Sequence, residues 1–116
     1  MLPSAERLKQ RRDFGAAYRR GKRRDHPLLT LYLRSTEPNA PRRFGFSVSK
    51  KVGKAHERSR IKRRLREACR ALPTMGGFDA VLVARPGADV ADFETLHRAL
   101  AQLLGSANVL LEEAAR

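Results

Sequence analysis

Four basic side chains, Arg58, Lys62, Arg66 and Arg70, recur at four-residue steps in the middle of the chain. On an α-helix that spacing stacks them in one row, successive members about 6 Å apart, a distance comparable with phosphate spacing along a nucleic-acid strand. Arg60, Arg63 and Arg64 cover much of the remaining exposed surface, and Glu67 is the only acid after the first turn. A solvated helix normally mixes signs to gain i,i+4 pairs, whereas this one repels itself. The chemistry that such a row can do is to neutralise a polyanion.

Aromatic and hydroxyl side chains form a second group. Phe14 and Tyr18 stand four residues apart on a short helical segment flanked by Arg11, Arg12, Arg19 and Arg20, so their rings share a face. They either pack into the core or offer stacking surfaces. Tyr32, Ser47, Lys50 and Lys51 add an aromatic ring, a hydroxyl and two ammonium groups near the ends of two strand-like segments.

Protein-side catalysis finds little support. His26, His56 and His97 have no cysteine or carboxylate constellation in the sequence and read as surface or turn residues. Asp89, Asp92 and Glu94 look like a metal cluster but sit at a helix start, where acids favour the macrodipole. The lone Cys69 rules out an internal disulfide and lies beside an apolar stripe, so it reads as packing. No metal site is expected on the protein.

These groups are positioned by a short series of elements. Arg11 to Arg20 reads as a helix closed by Gly21. Leu28 to Arg34 alternates as a half-buried strand, with Leu29, Leu31 and Leu33 on one face and Thr30, Tyr32 and Arg34 on the other. Residues 35–42, with two prolines and an asparagine, form a loop. Arg43 to Ser49 is a second strand, with Phe44, Phe46 and Val48 opposite Gly45, Ser47 and Ser49. If the two strands pair antiparallel, their polar faces join into one shallow surface.

Glu57 to Leu72 carries the basic row beside a stripe of Ile61, Leu65, Ala68 and Leu72, and stops before Pro73. Ala80 to Ala84 is apolar on both faces, as a covered strand is. Asp92 can cap a last helix that buries Leu96, Leu100, Leu103 and Leu104 and has Gly105 at its end. The expectation is an α+β fold, a small α/β sandwich in the order α-β-β(-β)-α-β-α with a mixed sheet. It forms one domain over residues 1–116, with its core in about 7–104 and a frayed or helical tail over 105–116.

Charge is concentrated in one part of the chain. Residues 1–70 hold 22 Lys and Arg against 6 Asp and Glu, while residues 71–116 hold 3 against 6. The net charge of +13 opposes folding by self-repulsion, and a polyanionic partner explains why it is tolerated. Arg outnumbers Lys by 19 to 6, which favours phosphate contact and base stacking by a planar guanidinium. No apolar run approaches the roughly 20 residues that span a bilayer, and the polar start is unlike a secretory signal, so cytoplasm and no membrane partner are expected.

The stretch from Arg43 to Ala55, RFGFSVSKKVGKA, followed by ERSRIKRRLRE at Glu57 to Glu67, closely resembles the bacterial ribonuclease P protein family, with its G-[FI]-x-V-S-K-K strand end and R-N-R-x-K-R-x-x-R-E helix. The resemblance reaches back to Leu8-Lys9, Asp13-Phe14 and Arg20-Gly21 and forward to Ala84-Arg85, covering about residues 7–104 in order. One position departs: Ser59 stands where the family has Asn, keeping a donor and an acceptor but losing the reach of a planar amide.

That resemblance implies a non-catalytic subunit of an RNA-based endoribonuclease that removes the 5′ leader of precursor tRNA. The catalytic RNA, which binds most of the Mg2+, performs the hydrolysis. It further implies that Arg58, Ser59, Arg60, Lys62, Arg63, Arg66 and Arg70 meet the RNA subunit. Phe14, Tyr18, Tyr32, Ser47, Lys50, Lys51 and Arg85 would line a leader cleft between the first helix and the sheet. The partners implied are that RNA and precursor tRNA, with no obligate protein partner, and the crossover through the basic helix is left-handed, against the usual rule.

Three other readings compete: a ribosomal-type or general RNA-binding module, a DNA-binding protein and an autonomous nuclease. The basic helix lacks Asn and Gln for adenine readout, which weighs against DNA. No paired carboxylates or histidine general base support a nuclease.

Overall fold

A computed structural model describes residues 2–111. After a 3-10 turn at Ser4–Glu6 come α1 (Arg11–Arg20), β1 (Lys22–Asp25), β2 (Leu29–Ser35), β3 (Arg43–Ser47), α2 (Ala55–Ala71), β4 (Phe78–Ala84) and α3 (Phe93–Ser106). The strands form one mixed sheet in the order β1-β2-β4-β3. Helix α1 packs on one face, and α2 and α3 pack together against the other, which makes the fold α+β.

The antiparallel pairing on which a joined polar surface depended is not formed between β2 and β3. Strand β4 lies between them, antiparallel to β2 and parallel to β3. Apolar residues on both faces of β4 are the reason, because a strand covered on each side belongs in the middle of a sheet. The shared polar surface is therefore divided: Thr30, Tyr32 and Arg34 face Val83, Val81 and Asp79, and beyond these lie Ser47, Gly45 and Arg43. Thr30 is buried, and Ser49 falls outside β3.

β1 escaped sequence reading because Lys22, Arg23, Arg24 and Asp25 are all exposed and show no apolar alternation. Its partner β2 defines it, through Arg23 opposite Tyr32 and Asp25 opposite Thr30. β4 begins two residues earlier than its apolar run, at Phe78, and so includes the buried Asp79.

The main core lies between the sheet and the pair α2/α3. Leu29, Leu31, Phe44, Ala80 and Leu82 meet Ile61, Leu65, Ala68, Cys69, Leu96, Leu100 and Leu104. Burial pushes the Cys69 thiol far above its ordinary pKa, so it is an inert packing group. The smaller cluster under α1 contains Leu8, Ala17 and Val81, with Phe14, Tyr32 and Val83 partly buried around it. Past α3, residues 107–111 fold back: Val109 is buried, and the Leu111 N–H donates to the Pro73 carbonyl at 3.1 Å. The rest of the expected tail, 112–116, lies outside the described residues.

Candidate RNA interface

Helix α1 is tied down at both ends. The Gly21 N–H donates to the Ala17 carbonyl at 2.8 Å, and a Cβ on Gly21 would sit 2.4 Å from that oxygen, so only glycine turns the chain tightly into β1. Near the other end Phe14 lies on Gly45 of β3, where a Cβ would come within 2.6 Å of the ring. The ring therefore rests directly on the sheet backbone. Gly45→Ala is expected to force Phe14 outward and to cost about 1–3 kcal/mol, measured by denaturant unfolding.

The exposed side of this face forms an aromatic cleft. Tyr18, 41% exposed, meets Tyr32 edge to face with centroids 5.0 Å apart. Arg23 lies over the Tyr32 ring at 5.9 Å, which adds a residue that sequence reading missed because it sits on β1. Phe14 and Tyr18 are thus both packing and surface: one ring is half-buried over the sheet, the other stands at the rim.

Ser47 ends β3, and Lys50 and Lys51 follow in an exposed turn whose Val52 is buried as an anchor. Because β3 and β4 are parallel, Arg85 emerges at the same end of the sheet. Its guanidinium donates to the His26 carbonyl at 3.2 Å, tying the end of β4 to the β1–β2 turn. Nearby, Asp25 accepts from Thr30 at 3.0 Å and Arg23 at 3.1 Å, and these bonds hold its carboxyl below the usual range.

A buried carboxylate organises the opposite end. Asp79 is fully buried and accepts two bonds from Arg43, both 2.8 Å, and one from Arg34 at 3.2 Å. Arg43 also lies 3.6 Å from Asp13 of α1, so one network joins α1, β2, β3 and β4. The bonds to Asp79 raise the Arg43 pKa above its already high value. Beside it, Arg42 pairs with Glu6 at 2.9 Å and donates to the Leu72 carbonyl at 2.6 Å, fastening the N-terminal turn to the end of α2.

The α2 side chains divide by direction. Arg58 donates to the Gly53 carbonyl at 3.1 Å, Arg60 to Asp89 at 3.2 Å and Arg64 to Ala91 at 2.6 Å. These three hold neighbouring backbone, and the last two strap the loop before α3 onto α2. Ser59, Arg63 and Arg70 are exposed, while Lys62 and Arg66 lie half-buried on the β3 side. Arg64→Ala is expected to lower stability by about 1.5–3 kcal/mol in thermal or urea unfolding, the value of a hydrogen bond from a charged donor.

Lys62 and Arg66 also line a hollow of about 300 Å3 with Arg7, Leu8, Phe14 and Gly45. It crosses the edge of β3, where the aromatic cleft and the basic helix meet. No group of three or more His, Cys, Asp or Glu side chains among the described residues could hold a metal ion. Asp92 instead caps α3, and hydrogen bonds from Thr95, one of them 2.8 Å from its N–H, keep it ionised to lower pH than usual. Among the described residues no helix is long and apolar enough to cross a membrane.

The family described as ribonuclease P matches residues 2–108. The ribonuclease P protein component of Streptomyces bikiniensis is 46% identical, covering 90% of this chain and 97% of its own length. That of Microcystis aeruginosa is 44% identical over 94% and 96%. The solved ribonuclease P protein of Staphylococcus aureus superposes with a TM-score of 0.81 at 28% identity, covering 93% of this chain and all of its own. That of Thermotoga maritima gives 0.76 at 32% identity, over 87% and 96%. In both sequence and fold, the chain belongs to the ribonuclease P protein family and is a protein component of that tRNA-processing enzyme.

Proposed function

We propose that this subunit grips the catalytic RNA with α2 and holds the single-stranded 5′ leader of precursor tRNA in the α1 cleft. The observation that carries this reading is the hollow at the β3 edge, where Phe14 and Gly45 of the cleft meet Lys62 and Arg66 of α2. A strand leaving the cleft passes directly to the helix that binds the RNA body.

A leader varies in sequence, so the cleft needs to read stacking and backbone rather than base edges. Phe14, Tyr18 and Tyr32 supply rings worth about 1–3 kcal/mol per stacked base. Ser47, Lys50, Lys51 and Arg85 offer donors at the end of the sheet, and Arg23 adds charge beside Tyr32. Arg58 and Arg60 keep further N–H groups for phosphate after bonding their carbonyls, since a guanidinium carries five.

Hydrolysis in this reading belongs to the RNA subunit. Among the described residues no group of three or more His, Cys, Asp or Glu side chains offers a multidentate Mg2+ site, and in this reading the ion is bound mainly by the RNA. The protein contributes by positioning the leader and screening phosphates. It works in the cytoplasm on precursor tRNA and needs no second protein.

Cleavage of precursor tRNA by a bacterial ribonuclease P RNA at low Mg2+, with and without this chain, tests the proposal. Stimulation is the expected result. Retention on the RNA with no change in turnover would leave only a general RNA-binding module and overturn the processing role.

A further inference from the structure

A second aromatic site lies away from the α1 cleft. Phe93, the first residue of α3, is 39% exposed and stacks on His97 one turn later, with ring centres 5.8 Å apart and planes tilted by 35°. With Ala71 at the end of α2, and with Glu94 and Arg98, the two rings line an open hollow of about 370 Å3.

We propose that this hollow takes an unpaired nucleobase of the RNA subunit, stacked on Phe93 and His97. The proposal rests on the reading that α2 lies against that RNA. The choice of occupant follows from continuity and charge. Arg70, the last of the basic row and its one exposed member, directly precedes Ala71 in the chain, so a strand following α2 reaches the hollow at the helix end. Exposed Arg70 and Arg98 are suited to the phosphates on either side of the base. The rings stack any base, and the exposed Glu94 carboxylate accepts from an exocyclic amine, as on adenine, cytosine or guanine.

The small size of Ala71 bears on the same point. It lines the hollow where α2 and α3 pack together and places no long side chain there. The straps from Arg60 and Arg64 to the loop before α3 fix the rings relative to α2, so the platform is rigid before RNA arrives.

The test measures binding of the full chain to ribonuclease P RNA over a range of salt concentrations, for the wild type, Phe93→Leu and Phe93→Trp. Leucine keeps the apolar bulk without a flat ring, and tryptophan keeps the ring. Phe93→Leu is expected to weaken binding at least about fivefold, with the slope of log affinity against log salt unchanged because no phosphate contact is lost. Phe93→Trp should bind as the wild type does, and thermal unfolding of both variants should stay close to wild type. Equal binding by Phe93→Leu and wild type would overturn the proposal. So would an equal loss in Phe93→Trp, or a Phe93→Leu change confined to self-association in sedimentation, which would make the hollow a contact between copies. If the wild type itself fails to bind the RNA, the reading of α2 falls first.

Discussion

Asp79→Ala is expected to lower stability by about 3–5 kcal/mol, the usual result of breaking a buried ion pair from one side. The carboxylate is fully buried and accepts from two arginines, so its removal takes the carboxylate partner from Arg34 and leaves Arg43 only the longer contact to Asp13 at 3.6 Å. Among the described residues the buried Nε of Arg34 also has no partner, so losing Asp79 adds to a guanidinium that is already incompletely bonded. For a domain of this size the midpoint of thermal unfolding should fall by about 10–20 °C. Asp79→Asn keeps the shape but loses the charge, and should fall between wild type and alanine. Calorimetry or circular-dichroism melts measure both, and an Asp79→Ala variant that melts with the wild type would show that the network does not hold the four elements together.

The second large effect concerns binding. Arg63→Ala, Arg66→Ala and Arg70→Ala combined should reduce affinity for the ribonuclease P RNA about 100-fold, taking about 1 kcal/mol for each screened contact. The slope of log affinity against log salt should become shallower by about 2–3, one counterion being released per phosphate neutralised. Among the described residues none of the three makes a hydrogen bond to a backbone carbonyl of the kind seen for Arg58, Arg60 and Arg64, so the fold should survive. Tyr32→Ala, on the opposite face of the sheet, should affect RNA-subunit binding much less and act on leader-bearing substrate. Arg58→Ala with Lys62→Ala should likewise weaken subunit binding more than Tyr32→Ala, and filter-binding titrations showing the reverse order would contradict the division of surfaces.

The helices were legible because their signals are local. Gly21 closed α1, Pro73 followed the end of α2, and Asp92 capped α3 as its residue type suggested. The alternation of Leu29, Leu31 and Leu33 likewise located β2. Strand neighbours were not legible, because pairing depends on contacts distant in sequence: nothing near Phe44 says that Ala80 lies beside it. β1 carried no apolar pattern at all, and with it Arg23 was lost from the candidate site.

The basic row presents a similar division. Spacing grouped Arg58 with Lys62, Arg66 and Arg70, but direction separates them, since Arg58 turns back to Gly53 while Arg70 is exposed. Arg64 was passed over as one more surface charge and proves to be a strap. The Asp79 network was hidden because its members are 36 and 45 residues apart in the chain. A lone acid beside an apolar run gives no sign of which arginines it will meet.

The central place of β4 has a consequence for biosynthesis. Strands β2 and β3 both wait for a neighbour that is made after them, so the sheet cannot close until residue 84 has left the ribosome. By then the strongly cationic residues 1–70 have already emerged, as a nascent polycation without its scaffold. The newborn chain therefore meets cellular polyanions before it has a shape with which to choose among them, and selectivity begins only when its last strand is inserted.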